Sequence, residues 1–599
     1  MESAGRRAKL HLDPTRTELG QEGYEILPGA QIFSATEQGL LYGTFGWLQS
    51  DTPRIEVPKV PLRMLQHWDD LDGFVERGYA GRSLFDWPSL PDHPDPRLWD
   101  YARACASIGI NAICPTNVNA SAEVLREGFL EKAAALADVL RPYGIRLFLT
   151  ARFSAPMELD GLPTADPLDP EVRAWWTHKL AAIYRQIHDF GGLIVKANSE
   201  GQPGPQDYGR THAEGANLLA AAVAPHGGRI LWRAFVYSDQ PATDRAAQAY
   251  DEFAPIKDQF HPSVQVQIKN GPIDFQPREP FHPLFGTLAP SQAVMEFQIT
   301  KEYLGFSSHL AFLANLWREV LTAPLDQGAV SGAVSGIVGV ANLGDDPSWC
   351  GSLFDQANWF AFGRMAWDPE LAPASIAEEW VRLTLGPDPL VTGKVAEMLL
   401  RSHEAVVNTM TPLGLAHLMG SGHHYGPAPW VDDLSREDWN PTYFHRADRE
   451  GIGFDRTQTG SAQLLQYPSD WQVRWSDPDT IDLDYLLWFH HLGWDHELKS
   501  GRTVWQELVH RYHWGCREVA AIREIWADLE PFLPRAVHQP TLEKLDIQME
   551  ESEWWRDACL AYFGSVCGRE WPEGYARPKK SLAEYRAIRF EGVAGDPAR

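Results

Sequence analysis

Several sequence signatures of enzymes and membrane proteins are missing from this chain of 599 residues. Its six cysteines are scattered without a CxxC pair, which argues against a disulfide framework or a cysteine zinc site. No HExxH, GxSxG or GxGxxG motif occurs, so a zinc protease, a serine-hydrolase elbow and a dinucleotide-binding turn are not indicated. No stretch approaches the roughly 18 apolar residues of a spanning helix, and the N-terminus lacks the apolar core of a secretory signal. These features predict a soluble, cytoplasmic protein.

Positive charge is also scarce, because 53 Lys and Arg face 80 Asp and Glu, which gives a formal net charge of −27. A strongly acidic chain without a basic stripe argues against binding to nucleic acid or to an anionic membrane. An anionic ligand would be repelled at long range, so any site for one needs a local group of Lys and Arg. The 24 Trp exceed normal usage, and such rings either stack on sugars or fill a core.

Strand-like and helix-like segments alternate from about residue 60 onward. The predicted strands are Arg63–Trp68, Ala112–Val118, Arg146–Ala151, Gly192–Asn198, Arg229–Phe235, Val264–Asn270, Val294–Thr300 and Gly336–Leu343. The predicted helices between them are Pro96–Ser107, Ala122–Leu140, Pro170–His188, Gly209–Val223, Ala242–Phe253 and His309–Leu321. Eight strands mostly separated by amphipathic helices favour an α/β fold of the (β/α)8 TIM-barrel type over an open doubly wound sheet.

Two further domains are predicted on either side of this barrel, which we place at residues 59–369. Residues 1–58 resemble a partial N-terminal β or α+β domain. Residues 370–599 read as a mainly helical C-terminal domain, interrupted by an irregular stretch rich in His and Trp at Pro412 to Asp479. The predicted helices there are Ile376–Leu385, Val391–Thr409, Thr503–Glu530 and Thr541–Tyr562.

Three acidic residues lie at or just past the ends of predicted strands. Glu200 follows strand four in the loop NSEGQPGP, Asp274 follows strand six, and Glu302 follows strand seven. Catalytic groups of (β/α) barrels come from the loops after the strands, which all lie at one face. Carboxylates gathered there suit glycoside hydrolysis, which uses one protonated acid and one ionised base that activates water.

Each of these carboxylates also has a purely structural interpretation. Glu200 would then cap a helix or form a loop salt bridge. Asp274 and Glu302 would instead pair with Arg278 or Lys301, which are close to them in sequence.

Three basic residues lie within otherwise apolar strands: Lys196, Arg233 and Lys269. Because buried cations must be paired, their partners are either the three carboxylates or a carboxylate of a ligand. Arg grips a planar carboxylate through two hydrogen bonds, whereas Lys acts as a point charge.

Histidines invite a metal interpretation at His423–His424, at His490–His491 and at His67. None of them has the spacing of known metal ligands, so they are interpreted as hydrogen-bonded loop or core groups. The sequence therefore predicts no metal and no other cofactor.

Seven segments together resemble one known family, the α-glucuronidases of glycoside hydrolase family 67. They are HWDDLDGFVERGYAGRSLF from His67, TADPLDP from Thr164, VKANSEGQPGP from Val195, YGRTHAEGAN from Tyr208, WRAFVY from Trp232, VQIKNGPIDFQPREP from Val266 and GHHYGPAP from Gly422. The similarity runs from about residue 20 to residue 565. Family members usually carry a longer N-terminal domain, so we expect a shortened domain here or a gene model truncated by a late start codon.

The resemblance implies an inverting hydrolysis of the α-1,2 bond between glucuronic acid, or its 4-O-methyl ether, and the non-reducing terminal xylose of short xylooligosaccharides. It implies Glu200 as general acid, with Asp274 and Glu302 jointly forming the general base.

The same resemblance assigns binding residues and an assembly. It implies that Lys196, Arg233 and Lys269 bind the uronate carboxylate and that Trp68 and Val118 line the sugar pocket. It further implies a helical C-terminal domain that mediates a homodimer, and small acidic xylooligosaccharides as the ligands.

Two alternatives of other classes remain from the sequence. The chain would be an inactive uronate- or xylooligosaccharide-binding protein, which retention of all three carboxylates argues against. Otherwise it would be another barrel enzyme acting on uronates, such as a lyase or isomerase. Those usually need a metal or a Lys or Tyr base, and the ligand clusters for a metal are missing from the sequence.

Overall fold

The N-terminal segment folds as a small mixed sheet with one helix across it, in a computed structural model that describes residues 7–236 and 243–589. Its strands, in the order β1–β3–β2–β4, are β1 (Lys9–Leu12), β2 (Tyr24–Leu27), β3 (Gln31–Ser34) and β4 (Arg54–Glu56). Helix α1 (Glu37–Gln49) begins after Thr36, whose side chain accepts a hydrogen bond from the Gly39 N–H. A Cβ at Gly46 would lie 2.2 Å from the Tyr24 hydroxyl, so glycine allows α1 to approach the sheet closely.

Eight parallel strands then close into a barrel, in which β12 pairs with β5. They are β5 (Leu62–His67), β6 (Ala112–Cys114), β7 (Arg146–Thr150), β8 (Gly192–Val195), β9 (Arg229–Arg233), β10 (Val264–Lys269), β11 (Ala293–Gln298) and β12 (Gly336–Ala341). Helices cover the outside and side chains fill the inside, so the strands read as nearly continuous apolar runs. The predicted (β/α)8 barrel is confirmed.

Helices surround this barrel on the outside. They are α2 (Arg97–Ser107), α3 (Glu127–Leu140), α4 (Ala155–Asp160), α5 (Pro170–Gln186), α6 (His212–Val223), α7 (Arg245–Phe253), α8 (Ala314–Leu321) and α9 (Leu353–Trp367). The start of the helix predicted at Ala242 lies outside the described residues. Helix α9, which follows the last barrel strand, was not among the predicted helices.

The interior of the barrel changes from apolar to polar along the strands. Ile194 of β8 and Leu231 of β9 belong to a buried apolar cluster inside the barrel. Two residues further along the chain, at the same inward-facing position of the pleat, Lys196 and Arg233 follow. Lys196 and Arg233 therefore lie nearer the C-terminal ends of the strands than this apolar cluster does.

The C-terminal region is mainly helical, as predicted. Its helices are α10 (Pro373–Thr384), α11 (Pro389–Met410), α12 (Pro441–His445), α13 (Ser469–Trp475), α14 (Leu486–Phe489), α15 (Val504–Ala527), α16 (Arg535–Cys567) and α17 (Leu582–Arg586). One short hairpin joins β13 (Gly451–Ile452) to β14 (Leu492–Gly493). Within the described ranges, no helix is both long and apolar enough to cross a membrane.

Helix α16 begins six residues earlier than the prediction, which started this helix at Thr541. Pro540 lies inside the helix, close to its N-terminal end. Pro540 is the sixth residue of this helix, so it removes the backbone hydrogen bond that an N–H would donate to Ala536, yet the helix continues through it. A proline near the N-terminus therefore did not mark the true beginning of α16.

An ion pair ties the N-terminal sheet to the bottom of the barrel. Arg63, on β5, is fully buried, and its guanidinium donates two hydrogen bonds to the Glu22 carboxylate, at 2.8 Å and 3.1 Å. It also donates to the backbone oxygens of Gly109 and Val60. A buried guanidinium that loses its counter-charge pays a large desolvation penalty, so this contact stabilises the whole chain.

We expect Glu22→Ala to lower the free energy of unfolding by about 3 kcal/mol, because Arg63 would stay buried without its carboxylate. The midpoint of urea unfolding, followed by circular dichroism, measures this loss. Glu131→Ala, which removes an exposed carboxylate of α3, should change the free energy by no more than about 0.5 kcal/mol. Equal stability of the two variants would contradict the proposed importance of the pair.

Candidate active site

Three acidic side chains lie at the same rim of the barrel. Glu200 is in the loop after β8, Asp274 in the loop after β10, and Glu302 in the loop after β11. Parallel strands of a barrel all end at one face, so these loops share it. Strands β10 and β11 are direct neighbours, which places the loops of Asp274 and Glu302 side by side.

Glu200 is held by Lys196, which lies four residues before it in the chain. The Lys196 ammonium donates a hydrogen bond to the Glu200 carboxylate at 2.5 Å and another to the Asn119 side-chain oxygen at 2.9 Å. Partial removal from water raises the pKa of Glu200. The charge and hydrogen bond of Lys196 lower it by more, so the pKa lies below its ordinary value. Glu200 has a positive φ of 49°, and 42% of its side chain is exposed at the rim.

Asn119 connects Lys196 to a fourth acidic residue. Its side-chain amide donates a hydrogen bond of 3.3 Å to Glu76, which also accepts one of 2.7 Å from Asn117. The two asparagines flank Val118, so the segment that contains this predicted pocket residue is fixed on both sides. Glu76 thereby orients the amide that holds Lys196.

Asp274 accepts hydrogen bonds from two buried groups. The Lys269 ammonium donates to one carboxylate oxygen, and the Tyr303 hydroxyl donates to the other at 2.6 Å. Burial raises the pKa of Asp274, but the charge and hydrogen bond of Lys269 and the hydrogen bond of Tyr303 bring it well below its ordinary value. The Lys269 ammonium also lies 3.3 Å from the centroid of the Phe235 ring and 4.3 Å from that of Phe275.

Glu302 is buried beside a histidine, an arginine and an amide. Its carboxylate is 2.7 Å from Nδ1 of His424 and 3.0 Å from Nε of Arg77, and it accepts a 2.8 Å hydrogen bond from Gln298. Burial raises the pKa of Glu302, but His424 and Arg77 lower it below its ordinary value. The His424 ring stacks on Tyr303, with the ring centroids 4.7 Å apart.

The three carboxylates influence each other electrostatically. For both Glu200 and Glu302, burial and the neighbouring basic groups have the largest effects on the pKa. The negative charge of Asp274 has a smaller effect and raises the pKa of both. Asp274 therefore lies within electrostatic reach of the other two. Each of the three carboxylates has its own basic partners, and Asp274 is coupled by its charge to both of the others.

Inside the barrel, Arg233 is paired with Glu296, which was not a predicted site residue. Its guanidinium donates to both oxygens of Glu296, at 2.5 Å and 2.9 Å, and both side chains are buried. Glu296 also accepts a hydrogen bond of 2.7 Å from Gln267. A lone carboxylate in the apolar strand VMEFQ demands a buried cation, and this was the signal for the pair.

The structural alternative for Asp274 and Glu302 is wrong in its partners. Arg278 pairs with Glu404 at 2.9 Å, and Lys301 pairs with Asp355 at 2.8 Å. Both basic side chains are therefore bound to other acidic residues.

The two predicted pocket residues lie at the ends of neighbouring strands. Trp68 follows β5 directly, and its buried indole N–H has no hydrogen-bond partner in the described part of the chain. Val118 follows β6 and packs on the apolar cluster inside the barrel. Both side chains are 8% exposed, so each presents only a small part of its surface.

Histidines and cysteines at the other predicted positions have structural contacts. His490 lies 2.9 Å from the Trp475 carbonyl oxygen, and His67 lies 2.6 Å from the Tyr101 hydroxyl. The six cysteines are buried and unpaired. Across residues 7–236 and 243–589, no group of three or more His, Cys, Asp or Glu is arranged to hold a metal ion.

Solved structures include a related overall fold. The chain superposes on a GH138 enzyme targeting pectin rhamnogalacturonan II with a TM-score of 0.52 and 13% sequence identity, over 93% of this chain and 64% of that one. At this identity the likeness concerns the fold alone.

Comparison of sequences gives a more specific relationship. Alpha-glucuronidase A of Emericella nidulans is 38% identical over 592 aligned residues, which cover 92% of this chain and 69% of that protein. Alpha-glucuronidase of Hypocrea jecorina is 38% identical over 586 residues, with the same shares covered. The Glycosyl hydrolase family 67 middle domain matches residues 48–349, and the Glycosyl hydrolase family 67 C-terminus matches residues 350–576. With both domains matched over most of its length, the chain belongs to glycosyl hydrolase family 67.

Proposed function

We propose that the chain hydrolyses the α-1,2 bond between glucuronic acid, or its 4-O-methyl ether, and the non-reducing terminal xylose of xylooligosaccharides, with inversion at the anomeric carbon. The observation that carries this proposal is that Glu200, Asp274 and Glu302 lie at one rim of the barrel, each beside a buried basic side chain. Relatives named alpha-glucuronidase, at 38% identity, support the same reaction and substrate class.

In this mechanism Glu200 protonates the xylosyl oxygen as the glycosidic bond breaks. Water attacks the anomeric carbon from the opposite face after Asp274 or Glu302 removes its proton, which gives inversion. The pKa of Asp274 and of Glu302 lies below its ordinary value, so both are ionised, as a group that accepts a proton must be. Tyr303 and His424 hold the two carboxylates in place.

The general acid raises a problem of charge, because Lys196 favours the ionised form of Glu200 in the free protein. A uronate carboxylate that binds Lys196 would take over this cation. Glu200 would then lose its main stabilising partner while its desolvation increases, so its pKa would rise and it would take up a proton. Other charged groups also act on Glu200: Asp274 raises its pKa, Lys269 lowers it, and Arg233 attracts its carboxylate.

An anionic sugar that enters this acidic protein needs cations to bind. Those available at the site are Lys196, Arg233 and Lys269. The chain carries a net charge of −27, and each of these three cations binds one of its carboxylates in the free protein, so an anion gains a cation there by exchanging partners with that carboxylate. Within a low-dielectric site, such local charges outweigh distant repulsion, which salt screens over about 10 Å.

We further propose that the chain acts in the cytoplasm, as a homodimer, on small acidic xylooligosaccharides. Six buried, unpaired cysteines fit a reducing compartment. The dimer rests on the resemblance of the helical C-terminal region to that of its family.

Glu200→Gln should lower kcat on a glucuronosyl xylooligosaccharide about 10²–10⁴-fold, because the amide cannot protonate the leaving xylose. Release of glucuronic acid and its first anomer, followed by proton NMR, measures the rate and the stereochemistry. A 4-nitrophenyl α-glucuronide, whose leaving group needs no acid, should be affected much less. Glu123→Gln, an exposed carboxylate after β6, serves as control. A kcat near that of the unaltered protein would remove Glu200 from the mechanism.

Binding of D-glucuronate at pH 6 should take up as much as about one proton, because the ligand frees Glu200 from Lys196 and raises its pKa. Affinity should accordingly increase as the pH falls from 7 toward 5. Calorimetric titrations in buffers of different ionisation enthalpy measure the uptake. Glu200→Gln should abolish it while glucuronate still binds. Binding enthalpies that do not depend on the buffer would contradict the exchange of partners.

Arg233→Met should lower the free energy of unfolding by about 3 kcal/mol, since Glu296 would remain buried without its cation. Adding Glu296→Leu removes the orphaned charge and should restore most of that stability. We expect the folded double variant to lose most of its preference for a glucuronoside over the matching glucoside, measured as the ratio of kcat/KM values. A preference that survives in the double variant would show that Arg233 does not bind the uronate.

A further inference from the structure

The loop that carries Asp274 is wrapped around a single buried carboxylate. Glu279, five residues later, accepts hydrogen bonds from the backbone N–H groups of Ile273 at 2.6 Å, Asp274 at 3.1 Å and Gln276 at 2.8 Å. Its side chain is fully buried. One carboxylate thus fixes the backbone on both sides of Asp274 and at Asp274 itself.

This arrangement places an acidic group in the interior, where a negative charge is unfavourable. Burial raises the pKa of Glu279 to about 7, although the three N–H groups lower it and Asp274 adds its own repulsion. Such a charge is tolerated because it accepts several hydrogen bonds, and the N–H groups in turn would be unsatisfied without it. The loop and the carboxylate therefore stabilise each other.

The loop also contains features that leave little room for another arrangement. Phe275 has a positive φ of 50°, which an ordinary residue adopts only when its surroundings hold it there. A Cβ added to Gly271 would lie 2.4 Å from Cβ of Glu279 and 2.5 Å from one of its carboxylate oxygens. The side chain of Gln276 accepts a 2.7 Å hydrogen bond from the backbone of His417, which anchors the loop to the C-terminal region.

We propose that Glu279 is a positioning residue, which holds the carboxylate of Asp274 at the place where it can accept the proton of the attacking water. The inference rests on the proposed role of Asp274 as part of the general base. Glu279 itself lies behind the loop and does not contact the reacting atoms. A displacement of about 1 Å in a catalytic group lowers a rate about 10²-fold, so a residue of this kind affects turnover strongly.

Glu279→Gln keeps the shape of the side chain but replaces one accepting oxygen with an NH₂ group. That group would face the N–H of Ile273 or those of Asp274 and Gln276, so at least one backbone donor loses its acceptor and the loop shifts. We expect kcat to fall about 10–100-fold. KM should stay within about 3-fold of its normal value, because Lys196, Arg233 and Lys269 lie within or directly after barrel strands and not in this loop.

Turnover is measured on a glucuronosyl xylooligosaccharide and expressed per folded molecule, counted by the stoichiometry of D-glucuronate binding. A role in stability alone would lower the melting temperature but leave kcat per folded molecule unchanged. Asp557→Asn is the matched control, since Asp557 is a buried carboxylate of α16 that accepts a backbone N–H of Lys579 at 3.1 Å. It should lower stability without changing kcat.

Gly271→Ala tests the same inference if Glu279→Gln does not fold, because its methyl group displaces the Glu279 carboxylate without removing the charge. It should show the same loss of kcat with a nearly unchanged KM. A normal kcat in either folded variant would overturn the inference. Failure of the unaltered chain to release glucuronic acid would instead refute the proposed function, so the two results are distinguishable.

Discussion

The balance of buried charges at the rim of the barrel is the constraint on which the rest of the site depends. Lys196, Lys269 and Arg233 each bind a carboxylate of the chain itself: Glu200, Asp274 and Glu296, respectively. An unpaired charge in such surroundings would cost several kcal/mol, so the free protein keeps these groups in pairs. An anionic sugar must therefore enter a site that is already neutralised, and it changes the partner of any cation that it binds.

The barrel supplies this charge arrangement through its pleat. Inward-facing side chains recur every second residue, so β8 and β9 place apolar groups low in the barrel and cations two residues later. The apolar cluster below keeps water away from the pairs above it and strengthens their electrostatic attraction. The loops after the strands then add the acidic groups, whose placement does not disturb the packing underneath.

The sequence predicted the barrel and the position of Glu200 well, because both depend on local signals. Apolar runs separated by amphipathic helices mark the strands, and the glycines and prolines around Glu200 mark a tight loop. The partners of the buried ion pairs were harder to predict from the sequence. Arg278 and Lys301 are close to the acidic residues in sequence yet bind other partners, whereas Arg233 and Glu296 are 63 residues apart and His424 and Glu302 are 122 apart. Such pairings follow from the closure of the barrel and the docking of the C-terminal region, which one sequence does not specify.

Glu302 and Tyr303 are consecutive residues, yet Glu302 is itself one of the proposed base carboxylates and Tyr303 donates a hydrogen bond to the other, Asp274. Glu302 contacts His424, while Tyr303 donates to Asp274 and also stacks on the His424 ring. A shift of this one segment would therefore alter both halves of the proposed base together. The basicity of Asp274 and that of Glu302 are therefore linked. A substitution that moves the backbone at Glu302 also moves Tyr303, and with it the hydrogen bond that Tyr303 donates to Asp274.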